Sequence, residues 1–189
     1  MKLVSIDDAK IALEKTDSTH DELLDLIILG LSDRIEAALN RKLEALSRVE
    51  KFQGGQTYLG LQAFPVDLTK PFTVKFNGSA MTIDDDYYVD AGNGIITLHL
   101  ELPPWPPMVT EVTYTGGYSP DAEGILTNIP SGIKRACLMQ TVFEFRRRKD
   151  IGLTGVNGPD GSVTKFSAFE LLPEVKDLLK LYRKPCQSM

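Results

Sequence analysis

The spacing of apolar residues changes twice along this chain, and those two changes constrain the fold more than any single motif. Leu24, Ile27, Ile28, Leu31, Ile35, Ala38 and Leu39 recur at helical intervals. From Leu46 to about Thr115 that period gives way to short β-branched and aromatic runs separated by turn residues. Helical spacing returns near Pro130. Helices at both ends with strands between them make an α+β fold. The expected architecture is an antiparallel helical bundle with a β-rich hairpin insertion between the second and third main helices. It is expected to be a single domain over residues 1–189. Residues 1–45 supply the N-terminal helices and 46–118 the insertion; 129–149 and 173–184 supply the C-terminal helices, and 150–169 a flexible loop.

Local signals refine this outline. Ser5-Ile6-Asp7-Asp8 reads as a capping box opening a short helix with Ile6, Ala9 and Leu13 on one stripe. Thr19-His20-Asp21-Glu22 reads as a second box, opening a helix to about Leu43. Its acids come first and Arg41-Lys42 last, which suits the helix dipole. Leu23, Leu26 and Ala37 lie off the main stripe and hint at a second partner for this helix. The strand candidates are Arg48–Phe52, Phe72–Phe76, Tyr87–Asp90, Ile95–Leu100 and Val109–Thr115. Asn77-Gly78 and Gly92-Asn93-Gly94 suit hairpin turns because Asn and Gly tolerate positive φ. The Leu102–Pro107 segment has four prolines around Trp105 and cannot be a central strand. Thr115-Gly116-Gly117-Tyr118 reads as a turn ending the last strand.

A helix is expected from about Pro130 to Arg148, and another from about Pro173 to Lys184 with a Val175, Leu178, Leu179, Tyr182 stripe. The former is apolar nearly all round, which implies burial on more than one face. The 150–169 loop is rich in glycine, and such long loops are functional or mobile.

Catalytic signals are absent. His20 and His99 are isolated, and no Cys or His spacing suits a metal. Asp84-Asp85-Asp86 lacks the spaced ligands of a calcium loop. The glycines of the loop are not followed by the Lys-Ser/Thr of a phosphate-binding loop. No catalytic, cofactor-binding or metal-ligating residue is therefore assigned. Cys137 and Cys186 form no disulfide framework, so a reducing cytoplasm is the expected site of synthesis. No secretory signal or membrane-spanning run is expected. The net charge of −5 disfavours nucleic acid and anionic membrane as whole-molecule partners.

The one basic cluster is Arg146-Arg147-Arg148-Lys149, at the end of the most apolar helix. It can stabilise a helix C-terminus, pair with acids of a neighbouring subunit, or contact DNA or RNA. On helical spacing Arg146 falls near Met139 and Phe143 and is expected to lie along packed apolar surface, with Arg147 and Arg148 facing solvent or a neighbour. Met139, Phe143, Arg146, Arg147 and Arg148 form the candidate subunit or partner interface.

An ordered set of segments runs through nearly the whole chain. It comprises Leu3–Lys10, Asp21–Leu24, Ile35–Arg41, Phe64-Pro65-Val66, Trp105-Pro106, Val112–Tyr118, Ile129–Ala136 and Leu178–Arg183. In this order the chain resembles the head–tail connector (adaptor, or head completion) proteins of tailed bacteriophages and prophages. It departs at Phe143–Arg148, where that family often ends its penultimate helix in aromatic and polar residues. The resemblance implies a virion protein at the head–tail interface, made in the host cytoplasm. It also implies a homo-oligomeric ring, dodecameric in the virion, that sits beneath the portal protein and extends the DNA channel toward a tail-side stopper or tail completion protein. DNA would pass through without tight binding, and no cofactor or membrane is implied. The alternative is a nucleic-acid-binding accessory protein using the basic helix end.

Overall fold

Four helices enclose the insertion in sequence: α1 (Ile6–Ala12) and α2 (Asp21–Leu39) precede it, and α3 (Ser131–Arg146) and α4 (Pro173–Lys180) follow it. The computed structural model describes residues 1–99, 109–148 and 170–184, and the backbone of 155–157 and 163–165. The fold is α+β, with antiparallel sheets inserted between α2 and α3. The chain divides into a helical unit, Met1–Leu39 with Ile129–Arg183, and a β unit built on Asn40–Asn128. Asn40 (φ 51°) and Asn128 (φ 57°) stand at the two crossings, each in the left-handed region that asparagine tolerates.

In the helical unit, α1 starts with the expected capping box. Ser5 Oγ accepts from Asp8 N at 3.0 Å, and Asp8 Oδ2 from Ser5 N at 3.4 Å. The box expected at Thr19 does not form. The Thr19 N–H goes to Asp17 Oδ1, and His20 O accepts the first helical bond from Leu24 N. α2 also stops at Leu39, not near Leu43, because Asn40 turns left-handed. Arg41 and Lys42 lie beyond the helix, and its last turn carries no cation. Leu24, Ile28, Leu31, Ile35 and Leu39 are buried as their spacing demands. Buried Ser32 donates to Ile28 O (2.7 Å) and accepts from Leu3 N (3.1 Å), which ties the N-terminus to α2.

α3 packs against α1, α2 and α4. It is not buried all round. Ile133, Ala136, Cys137, Gln140, Thr141 and Phe145 form one buried arc, whereas Leu138, Met139, Val142 and Phe143 are half-buried. Its Gln140 side chain is fully buried and docks the entry to α4. The amide donates to Glu144 Oε1 (3.0 Å) and Glu170 O (3.3 Å) and accepts from Leu172 N (2.9 Å). Arg34 of α2 completes the set with an ion pair to Glu144 at 2.7 Å. α4 buries Val175 and Leu179 and ends at Lys180, four residues short of the expected boundary. Gly132 admits Tyr182: a Cβ there would lie 2.6 Å from the phenolic oxygen. Within the expected 150–169 loop, Gly155–Asn157 and Val163–Lys165 pair as an antiparallel ladder, β8 and β9, so that segment carries regular structure. The rest of the loop, the prolines around Trp105, Lys149 and Cys186 lie outside the described residues.

Among its described residues the β unit holds two sheets. The first has the order β1 (Leu46–Gln53), β7 (Val109–Gly116), β3 (Thr73–Phe76), β4 (Ser79–Ala80). The second has the order β2 (Tyr58–Gly60), β6 (Ile95–Leu98), β5 (Tyr87–Asp90). The five expected strands are all present; β2 and β4, of three and two residues, are additional. Asn77 (φ 48°) and Gly78 (φ 84°) make the tight β3–β4 turn. Leu59, Leu61, Val74, Val89, Ile96, Val112 and Tyr114 form the shared core. The Tyr114 hydroxyl is buried there with partners: it accepts from Ala63 N (3.0 Å) and donates to Glu50.

The Gly116-Gly117 pair does more than end a strand. A Cβ on Gly117 (φ 111°) would meet Leu43 O at 2.5 Å. The flanking backbone bonds to the incoming chain, Tyr118 N to Leu43 O at 2.6 Å and Ala45 N to Tyr118 O at 2.9 Å. The buried Arg41 guanidinium stacks 3.8 Å from the Phe64 ring and donates to the Tyr118 hydroxyl at 3.1 Å. The left-handed glycine thus lets the first and last segments of the β unit close on each other.

Candidate assembly surface at the end of the third helix

The last two turns of α3 gather the aromatic and basic residues singled out by the sequence. Phe145 is buried, at 2% exposure. His20 meets its ring edge-on, with centroids 5.4 Å apart, and Lys15 Nζ lies 5.8 Å above it. The Arg148 guanidinium covers the ring at 4.0 Å and donates to Phe145 O at 2.7 Å. Arg147 lies over the Phe143 ring at 5.1 Å. Arg146 is exposed.

This reverses the expected roles within the basic cluster. Arg147 and Arg148, not Arg146, lie on apolar surface. The cause is local backbone geometry. Arg147 is the C-cap, with φ −88° and ψ 3°, so the chain leaves the helix there and the 100° step no longer places Arg148. A guanidinium over an aromatic face gains about 0.5–2 kcal/mol according to its desolvation. Arg148 also satisfies a carbonyl at the helix end. The half-buried Met139 and Phe143 flank this cluster and leave part of their apolar surface uncovered.

Among the described residues no group of three or more His, Cys, Asp or Glu side chains could hold a metal ion. His99 lies just past β6, its Nδ1 2.8 Å from Asp85 O. Asp86 Oδ2 accepts from Thr82 N at 2.7 Å, closing the loop of the acidic triplet on itself. Burial pushes the Cys137 thiol up to about 12, so it stays protonated at neutral pH and is a poor nucleophile. No described helix is long and apolar enough to cross a membrane.

Comparison with solved structures gives the same fold in virus-like particles. One match is a chain from the neck of an empty GTA particle computed with C6 symmetry. It has a TM-score of 0.54 and 15% identity, covering 96% of this chain and 90% of that one. A second is a chain from the virion of a native gene transfer agent (GTA) particle, with a TM-score of 0.55, 13% identity and the same coverage. Its fold is shared by chains of gene transfer agent particles. No protein-family model and no curated protein matches the sequence. The likeness spans both units, so the β insertion and the helices are shared together.

Proposed function

We propose that this chain is a structural, non-enzymatic subunit of the neck of a tailed phage-like particle. It forms a ring beneath the portal protein, dodecameric in the virion, and extends the DNA channel toward a tail-side stopper or completion protein. The observation that carries this function is the fold likeness over 96% of the chain to a subunit of a particle neck. The C6 symmetry applied to that neck supports a ring. Met139, Phe143 and Arg146–Arg148 are the proposed contact with a neighbouring subunit or the portal: a half-buried apolar pair beside a cationic helix end. The placement of Arg147 and Arg148 over aromatic rings supports subunit contact over DNA binding, as does the net charge of −5.

The experiment is deletion of the gene from its particle-producing genome, followed by electron microscopy. The expected outcome is DNA-free or leaking heads alongside unattached tails. Intact tailed particles in normal yield would overturn the function.

A further inference from the structure

α2 has an exposed face that its own unit does not explain. Glu22, Leu23, Leu26, Gly30, Asp33 and Ala37 are its exposed positions before Asn40, and at about 100° per residue they fall on one arc opposite the buried one. That arc is mostly apolar or small. Leu26 is 68% exposed and Leu23 36%. Gly30 lies in the middle of the helix, where glycine is unfavourable. A Cβ at this position would meet nothing within 4 Å, so internal packing does not require glycine. A bare backbone on an exposed apolar arc suits close approach by another helix.

α3 offers the complementary surface. Its outward arc carries exposed Arg135 and Arg146, with half-buried Leu138, Met139 and Val142 between them. Arg135 and Arg146 are eleven residues apart, and so are Glu22 and Asp33. At 1.5 Å per residue both pairs span about 16 Å along their helix axes. Among the described residues none of these four charges forms an ion pair. α2 and α3 pack on each other through their buried arcs. Each exposed arc lies opposite its own helix's buried arc, so the two arcs are different surfaces of the helical unit. Two different, mutually complementary faces make a head-to-tail contact, which closes into a ring when the rotation permits.

We propose that α2 of one subunit packs against α3 of the next copy of this chain. Gly30 admits the apolar ridge of Leu138, Met139 and Val142, and Glu22 and Asp33 pair with Arg135 and Arg146. The proposal rests on the ring proposed above and supplies its subunit contact.

Sedimentation velocity over a concentration series up to millimolar tests it, with two charge-reversed chains. One carries Glu22→Arg and Asp33→Arg; the other carries Arg135→Glu and Arg146→Glu. Each alone presents like charges at every contact and stays monomeric where the wild type assembles. An equimolar mixture restores complementarity at every contact of an alternating assembly, so it associates like the wild type. Gly30→Leu adds a side chain into open space on the subunit. It leaves the monomer folded by circular dichroism, with an unchanged or raised melting temperature, and weakens self-association at least tenfold. Wild-type assembly with reversed chains and Gly30→Leu assembling equally well would overturn this surface and leave the ring standing on another. A wild type that stays monomeric throughout, and also fails to form rings on its portal, would overturn the ring itself.

Discussion

Replacing Gln140 with Leu tests how the helical unit is held together. The two side chains are close in volume, so the change removes hydrogen bonds with little change in packing. It strips the partner from Leu172 N, held at 2.9 Å, and from Glu170 O, held at 3.3 Å. Glu144 loses one donor but keeps Arg34. A buried donor left without a partner costs about 1–3 kcal/mol. The longer bond to Glu170 O adds less, giving a total of about 2–4 kcal/mol. At about 2–4 °C per kcal/mol for a chain of this size, the melting temperature falls by roughly 5–15 °C. Because the lost bonds dock the entry to α4, amide exchange between Glu170 and Leu181 rises most. Gln140→Glu retains an acceptor for Leu172 N but sets a second carboxylate beside Glu144. It destabilises at neutral pH, and acidification relieves the loss because protonation removes the repulsion. Urea denaturation with hydrogen exchange measures both effects. A loss below about 0.5 kcal/mol for Gln140→Leu, the range of an ordinary surface substitution, with unchanged exchange in α4, would refute this role for the amide.

Arg148→Ala removes a stacked cation and a carbonyl partner and costs about 1–2 kcal/mol, whereas Arg146→Ala changes stability by less than about 0.5 kcal/mol; paired denaturation curves decide. Asn40→Val places a β-branched residue at φ 51° and costs at least about 1–2 kcal/mol, while Asn40→Gly is neutral or slightly stabilising; thermal melts separate them. Cys137 resists iodoacetamide in the native protein at pH 8 and reacts after unfolding, as peptide mass spectrometry reads. Because burial raises the folded pKa of this thiol from 9.0 to about 12, its contribution is fully present below pH 9 and is lost as pH rises from 9 to 12. Tyr114, also raised by burial, acts in the same direction. Stability therefore declines on the alkaline side, measured as denaturation midpoints from pH 8 to pH 11.

The parts of the fold legible in the sequence are those with a sustained period. The helical stripe of α2 and the alternation of β7 placed those elements because burial on one face leaves a repeating signal. β2 leaves no such signal because three residues carry no period, although Leu59 and Gly60 are buried. Asn40 itself signals the early stop of α2, but the apolar Leu43 three residues later masks it. Leu43 is buried in the β unit, not on the helix. The basic cluster departs from helical spacing because the helix ends among its four residues. The off-stripe Leu23, Leu26 and Ala37 were legible as a second face of α2. What Gly30 contributes to that face depends on what surrounds its Cα, which no spacing records.

The most direct measurement of the central claim is electron microscopy of the purified chain mixed with its portal protein. The account predicts a second ring of density stacked coaxially on the portal, with its channel continuous with the portal channel. Portal rings without added density, with this chain left in the unbound fraction at saturating concentration, would contradict it.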